Sequence, residues 1–161
     1  MAVSVGNRHI KDTAANRMFY AVDAARLLAV HTIKICSNEK VFIPKFSHIT
    51  DQIVAIAMGI YSDAWTANNI RVNTVRDWEE RSLLQKKSIA KCYGLLGFID
   101  LAKLLFHLRA NKVEYWGRMT INVRELIRAW HEKDRERYNK KLKIVSIVGD
   151  AKFAYPITEA G

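Results

Sequence analysis

Cysteine and proline are both scarce in this sequence of 161 residues, which contains two of each. Cys36 and Cys92 are far apart in the chain and lie within apolar helical patterns. We therefore expect two buried thiols in a reducing compartment rather than a disulfide framework. Half of the residues are hydrophobic, so the composition excludes a disordered chain and favours one folded domain with a proper core.

Long apolar segments are also missing. No stretch approaches the roughly 18 uncharged apolar residues of a membrane-spanning helix, and the N-terminus lacks the apolar core of a signal peptide. The sequence therefore predicts a cytoplasmic protein that does not cross a membrane.

Motifs that build catalytic or cofactor sites are absent from the sequence. It has no Walker loop, no G-x-G-x-x-G and no G-x-S-x-G, and it lacks the paired Glu-x-x-His motifs of di-iron bundles. None of the histidines pairs with a carboxylate or cysteine at metal-ligand spacing. These histidines are His9, His31, His48, His107 and His131. We therefore expect neither an enzyme nor a metal or cofactor site.

The segment of residues 111–130 has the clearest helical pattern in the chain. Asn111 and Glu114 have the positions of an N-cap residue and its N3 partner, which predicts where the helix begins. The pattern extends to about Lys140. Large apolar residues fall on one face of this helix, and a stripe this wide needs other helices to cover it. The stripe consists of Trp116, Met119, Val123, Leu126, Ile127 and Trp130.

Three further helices are predicted before this one. The first is capped by Asp12 or Thr13 and runs to about Ser37, the second runs from Pro44 or Ser47 to Asn68, and the third spans about residues 75–108. Thr74 and Asp77 form a capping-box pattern before the third helix. Glycines at positions 94 and 97 of that helix are unfavourable by propensity, which suggests close packing of a neighbouring helix. Residues 1–141 therefore predict an all-α antiparallel four-helix bundle whose first ten residues or so are loosely held.

The last segment, residues 142–161, has a different pattern. β-Branched residues flank a Gly149-Asp150 pair, which predicts a short β-hairpin. Pro156 would confine the second strand to an edge. An isolated hairpin is marginal in water, so this tail is expected to pack on the bundle, on another subunit or on a partner.

Positive charge is the strongest functional signal. The formal net charge is +10 and the pI is about 9.8, which favours a polyanionic partner, with nucleic acid first and an anionic membrane surface second. A solvated basic surface is the alternative. The candidate nucleic-acid-binding residues are Arg71, Arg76, Lys86, Lys87, Lys91, Arg118, Arg124, Arg128, Lys133 and Arg135.

Aromatic residues near these cations have two interpretations. They either stack on bases or pack at the edge of the core. The residues concerned are Tyr61, Trp65, Tyr93 and Tyr115.

Several landmarks match the pattern of a known family of small four-helix bundles. They are F-x-P-K at residues 42–45, Ala67-Asn68-Asn69, Glu79-Glu80-Arg81, Leu95-Leu96, Ile99-Asp100-Leu101-Ala102, and V-R-E-L-I-R-A-W at residues 123–130. In these features the chain resembles the accessory variability determinants of diversity-generating retroelements. It also resembles their relatives encoded in intervening sequences of large-subunit ribosomal RNA genes. The resemblance covers roughly residues 19–138, so the predicted hairpin falls outside it.

The resemblance implies a non-catalytic accessory protein. Members of the accessory type form basic, homopentameric rings that bind a reverse transcriptase and nucleic acid, and they support error-prone copying of a template RNA. By this implication the partners are RNA or single-stranded DNA, a reverse transcriptase and further copies of the chain. The alternative is a protein–protein adaptor, related to phage or defence systems, that docks through its tail without nucleic acid.

Overall fold

The computed structural model describes the backbone of residues 14–152 and the side chains of residues 20–143. Four α-helices follow one another: α1 (Ala14–Cys36), α2 (Ser47–Asn69), α3 (Val75–Leu105) and α4 (Ala110–Lys152), with a 3₁₀ turn (Pro44–Phe46) before α2. Each helix packs against the next, and α4 packs against α1, which closes a four-helix bundle. Short connections make consecutive helices antiparallel. Among the described helices, none is long and apolar enough to span a membrane.

The core confirms the apolar stripe predicted for residues 111–130. Met119 and Leu126 lie at its half-buried edge. The indole Nε1 of Trp116 donates a hydrogen bond to Thr32 Oγ1 on α1 at 3.0 Å, so the largest fully buried side chain also satisfies its polar atom. The fully buried members of the stripe are Trp116, Val123, Ile127 and Trp130.

The start of α3 also agrees with the sequence prediction. The hydroxyl of Thr74 accepts a hydrogen bond from the backbone N–H of Asp77 at 3.2 Å. The Asp77 carboxylate in turn accepts from the backbone N–H groups of Asn73 at 3.0 Å and Thr74 at 2.8 Å. This capping box satisfies amide donors that have no partner within the helix, and it holds the connection between α2 and α3 in one conformation.

The end of α3 comes earlier than predicted, at Leu105 rather than Leu108. His107 adopts a left-handed conformation with φ of 52°, which the right-handed helix cannot continue through. The backbone N–H of Leu108 then donates to the carbonyl of Lys103 at 3.2 Å. This is the 6→1 bond of a Schellman motif, normally built on glycine.

The predicted cap of α4 is wrong. Asn111 lies inside the first turn, because the carbonyl of Arg109 already accepts hydrogen bonds from the N–H groups of Lys112 at 3.1 Å and Val113 at 3.2 Å. The left-handed turn that closes α3 brings the chain into the next helix sooner than the capping pattern indicated. Glu114 instead forms an exposed ion pair with an arginine one turn further along α4.

The predicted hairpin is not found where the structure describes the tail. Residues 142–152 continue α4, and the Gly149-Asp150 pair lies within that helix. Extending an existing helix adds one hydrogen bond per residue with no new nucleation cost, whereas a two-stranded hairpin is marginal alone. That difference outweighs the preference of β-branched residues for strands. The remainder of the tail, and the first residues that were expected to be loosely held, lie outside the described residues.

The glycines of α3 do not pack against a neighbouring helix of the same bundle, which differs from the sequence prediction. Gly94 and Gly97 are exposed, and a Cβ atom at either position would meet nothing within 4 Å. Gly59 on α2 is different, since a Cβ there would lie 3.1 Å from Lys91 Nζ. The Lys91 side chain crosses the bare backbone at Gly59 and forms an ion pair with Asp63 at 2.6 Å.

A buried ion pair joins α3 to α4 near one end of the bundle. The Arg81 and Asp134 side chains are both almost fully buried, and Nη2 of Arg81 lies 2.7 Å from Asp134 Oδ2. Gln85 Nε2 donates to the same oxygen at 2.9 Å. Burying two charges is unfavourable unless such hydrogen bonds satisfy them.

Arg81 extends this network to α2. Its Nη1 donates to the carbonyls of Ala67 at 3.1 Å and Ile70 at 3.2 Å, at the end of α2. The guanidinium also lies over the rings of Trp130, 5.2 Å from the centroid, and Tyr138, at 5.7 Å. One side chain therefore connects three helices.

Asp134→Ala should lower the free energy of unfolding by about 3–5 kcal/mol, because it leaves the Arg81 guanidinium buried without its carboxylate. Glu136→Ala is the matched control on the same helix. Glu136 is exposed and pairs with Lys133 at 3.3 Å, so its loss should change stability by less than about 1 kcal/mol. Urea unfolding followed by circular dichroism measures both variants. Equal losses would contradict the role assigned to the buried pair.

Candidate nucleic-acid interface

One surface between α3 and α4 brings predicted cations together around an exposed tyrosine. The Arg124 guanidinium stacks on the Tyr93 ring, 4.7 Å from its centroid, and Arg128 Nη2 lies 2.8 Å from the Tyr93 hydroxyl. Glu125 accepts a hydrogen bond from each arginine at 2.9 Å. Two guanidinium groups share one carboxylate, so the cluster keeps a net positive charge while its side chains are held in place.

His131 continues this surface one turn further along α4. Its Nε2 lies 2.9 Å from Ser82 Oγ, and its ring stacks on Trp78 with the centroids 5.8 Å apart. Burial lowers the pKa of His131, and the nearby charges of Lys86 and Arg135 lower it further, against the opposite effect of Asp134 and Glu132. Lys86 lies one helical turn beyond Ser82 on α3 and Arg135 one turn beyond His131 on α4, so the Ser82–His131 contact places both cations on this side of the bundle. Together these residues define the α3–α4 face: Lys86, Tyr93, Arg124, Arg128, His131 and Arg135.

Three of the predicted cations lie outside this face, and each forms an ion pair with a carboxylate. Each of these pairs offers less positive potential to a polyanion than an unpaired cation would. The pairs are Lys91 with Asp63 at 2.6 Å, Arg118 with Glu114 at 3.6 Å, and Lys133 with Glu136 at 3.3 Å. The other predicted cations, Arg71, Arg76 and Lys87, are exposed and lie outside the α3–α4 face as defined here.

The candidate stacking residues occupy separate surfaces. Tyr93, Trp65 and Tyr115 are each about half exposed, but the aromatic neighbour of Trp65 is Tyr61, 6.1 Å away, and that of Tyr115 is His31, 5.2 Å away. Tyr93 is the one that lies directly against the arginines of the α3–α4 face. Its ring therefore combines stacking and cationic groups on one surface.

A second basic surface was missed by the sequence reasoning. An open cleft of about 620 Å³ lies between the α2–α3 connection and α4, and we call it the loop cleft. Arg137 and Lys141 belong to the run of mixed charges at residues 131–143, which as a sequence is open to two interpretations, a solvated helix end or a nucleic-acid contact. Asp134 continues the buried stripe of α4, and Arg137 and Lys141 follow it by three and seven residues. This helical spacing could have indicated that both side chains lie beside the core rather than on the opposite, solvated side of α4. The cleft is lined by Asn68, Asn69, Ile70, Arg71, Val72, Asn73, Arg81, Arg137, Tyr138 and Lys141.

Nucleophilic and metal-binding chemistry finds little support in the described residues. Burial raises the pKa of both the Cys36 and the Cys92 thiol to about 12, so neither forms a thiolate near neutral pH. Within the part of the chain that the structure describes, no three His, Cys, Asp or Glu side chains lie close enough to hold a metal ion.

Comparison with known proteins finds no matching protein-family model, curated protein or solved structure. The charges and contacts of the chain itself are therefore what bear on its function.

His131→Gln should reduce the loss of stability on acidification. In the unfolded chain a histidine titrates at about pH 6.5, and the folded pKa of His131 is lower, so below about pH 6.5 the unfolded state binds more protons and stability falls. Without the imidazole this contribution disappears, and the curve of unfolding free energy between about pH 7.5 and 5.5 becomes flatter. The exposed His48→Gln is the control. Parallel curves for wild type and His131→Gln would contradict the assignment.

Proposed function

We propose that this protein is a non-catalytic accessory protein that binds RNA or single-stranded DNA through the α3–α4 face. By the resemblance of its landmark residues, it scaffolds a reverse transcriptase with template RNA and cDNA in a diversity-generating retroelement. The observation that carries the proposal is the cluster of Arg124 and Arg128 on Tyr93, in a chain of net charge +10.

The chemistry of this face suits contact with a nucleic-acid backbone. Guanidinium groups bind phosphate through paired hydrogen bonds, and each phosphate neutralised releases counterions. The stacking of Arg124 on Tyr93 and the bonds to Glu125 hold the cations before a ligand arrives, so less side-chain entropy is lost on binding. Such contacts are independent of sequence, as a scaffold for copying variable templates requires.

The outward face of α3 supports assembly with further copies of the chain. Small or apolar residues recur there at intervals of seven, four and three, as in helices that pack closely against one another. Exposed glycines inside a helix cost about 1 kcal/mol each, and no contact within the described part of the protomer compensates for that cost. We call this surface the outer α3 stripe, and it consists of Leu83, Ala90, Gly94, Gly97, Leu101 and Leu104.

A protein–protein adaptor without nucleic acid is the second candidate. The feature that favours it is the length of α4, which has 43 residues against 31 in α3. At about 1.5 Å per residue, α4 is roughly 18 Å longer than α3. In this function the C-terminal extension of α4 would dock on a partner protein. It takes the place of the hairpin that the sequence predicts.

Replacing the two outlying cations of the α3–α4 face should weaken nucleic-acid binding in a salt-dependent way. For Lys86→Gln combined with Arg135→Gln, we expect at least about tenfold lower affinity for single-stranded RNA at low salt. The slope of log affinity against log salt should fall by about 1.4, because each lost phosphate contact removes about 0.7. Fluorescence anisotropy at several salt concentrations measures both quantities.

The matched control is Lys34→Gln combined with Arg109→Gln. It removes the same charges from exposed positions outside the α3–α4 face, and neither residue forms an ion pair among the described side chains. If the two double variants lose equal affinity, net charge alone explains binding and the α3–α4 face has no special role. If the wild type binds no RNA or DNA even at low salt, the adaptor becomes the leading function.

Charge on the outer α3 stripe should break the assembly. Gly97→Glu combined with Leu104→Glu places two carboxylates where we propose that helices of neighbouring copies pack, and Leu104 is 75% exposed in the protomer. Sedimentation velocity should show an oligomer for the wild type and a species of 18.5 kDa for the variant. Leu27→Glu, at a half-exposed position on α1, is the control. A monomeric wild type would overturn self-association through this stripe.

A further inference from the structure

The loop cleft has the chemistry of a phosphate-binding site. Its cationic groups come from separate parts of the chain: Arg71 from the α2–α3 connection, Arg137 and Lys141 from α4, and Arg81 from α3. Three asparagine side chains supply neutral donors and acceptors beside them, and no carboxylate lines the cleft. Convergent cations with neutral hydrogen-bonding groups and no acidic residue favour an anionic ligand.

The cations of the cleft are available to a ligand. Within the described residues, neither Arg71 nor Arg137 forms an ion pair with a carboxylate. Lys141 donates one hydrogen bond to the carbonyl of Val72 at 2.9 Å, which leaves two of its three ammonium hydrogens for other acceptors. The charge of Arg81 is balanced by Asp134, so this arginine shapes the cleft and adds little net charge.

The backbone of the cleft is held from three directions. Arg81 donates to the carbonyls of Ala67 and Ile70, and Lys141 donates to that of Val72. The Asp77 carboxylate accepts from the next two backbone N–H groups, and these bonds lower the pKa of Asp77. The acidic group nearest to the α2–α3 connection on its C-terminal side is therefore engaged with the backbone. A loop held in this way binds a ligand with a smaller entropic cost.

The size and neutral groups of the cleft point to a nucleotide rather than to phosphate alone. A volume of about 620 Å³ exceeds what one phosphate group fills and lies in the range of small-molecule sites. The asparagines that line the cleft carry amide groups, which can hydrogen-bond a sugar hydroxyl or a base amino group.

We propose that the loop cleft binds a terminal phosphate of a nucleotide, either at the free end of an RNA or DNA chain or in a mononucleotide. A terminal phosphate carries more negative charge than a phosphodiester, about −1.5 to −2 against −1, and offers three oxygens to converging donors. The α3–α4 face runs along two helices and suits the backbone, whereas the cations of the loop cleft line a single cavity between α4 and the α2–α3 connection. The proposal goes beyond the proposed function and holds or fails independently of it.

The test compares one single-stranded oligonucleotide in three forms, with a 5′-phosphate, a 3′-phosphate or hydroxyl groups at both ends. We expect one of the phosphorylated forms to bind the wild type about tenfold more tightly than the hydroxyl form, as one additional charge-assisted contact allows. Arg71→Gln combined with Arg137→Gln should remove the preference. Both side chains are exposed, so circular dichroism should show an intact fold.

Two control variants separate this site from the α3–α4 face. Lys86→Gln with Arg135→Gln should weaken all three oligonucleotides by the same factor and leave the preference intact. Lys34→Gln with Arg109→Gln removes two cations without ion pairs from exposed positions outside the cleft and should also keep the preference. A preference that survives Arg71→Gln with Arg137→Gln overturns the assignment of the cleft.

Calorimetry with inorganic phosphate and with a nucleoside monophosphate identifies the source of the phosphate. Tighter binding of the nucleoside monophosphate supports a nucleotide site, and equal binding of the two supports a site for the phosphate group alone. In either case Arg71→Gln with Arg137→Gln must abolish binding. These calorimetric titrations test the cleft even if the wild type binds no oligonucleotide, so the two proposals can fail separately. No binding of either ligand, together with equal affinity for the three oligonucleotides, overturns the proposal.

Discussion

The buried pair of Arg81 and Asp134 is the interaction on which most of the other features depend. It places one charge from α3 and one from α4 inside the bundle, where only a single relative position of the two helices satisfies both. That position also brings Ser82 to His131 and sets the α3–α4 register in which Tyr93 meets the two arginines. The same guanidinium holds the end of α2. The geometry of both basic surfaces therefore depends on this buried ion pair.

Most of the fold could be predicted from the sequence, because a period of 3.6 residues in apolar side chains is a local signal. The stripe from Trp116 to Trp130 is of this kind. The starts of α2 and α3 follow from a proline and a capping box, which are local signals too. The predictions that were wrong concern segments for which two backbone conformations compete. His107 takes a conformation that usually requires glycine, so nothing in the sequence indicated where α3 would end. Residues 142–152 have a strand-like composition, but a helix already in place at Lys141 extends at little cost.

The candidate site was less predictable, because charge can be counted in a sequence while pairing cannot. Lys91 had been grouped with the free cations, but it reaches across to Asp63 on another helix. The contact of Tyr93 with Arg124 depends on the register between helices, which no single helix pattern contains. Arg137 lies in a run of alternating charges, and its separation from the carboxylates nearby appears only in three dimensions. The composition thus indicated an anionic partner without indicating which surface would meet it.

The absence of a side chain at Gly59 has a consequence for how this sequence can diverge. A methyl group at position 59 would lie 3.1 Å from Lys91 Nζ, so the end of the lysine would have to shift by a few tenths of an ångström while it pairs with Asp63. The three positions therefore constrain one another, although they lie on two helices. A related chain that acquired alanine at position 59 would gain helix propensity but would crowd this ion pair. The residues at positions 63 and 91 should therefore covary with the residue at position 59.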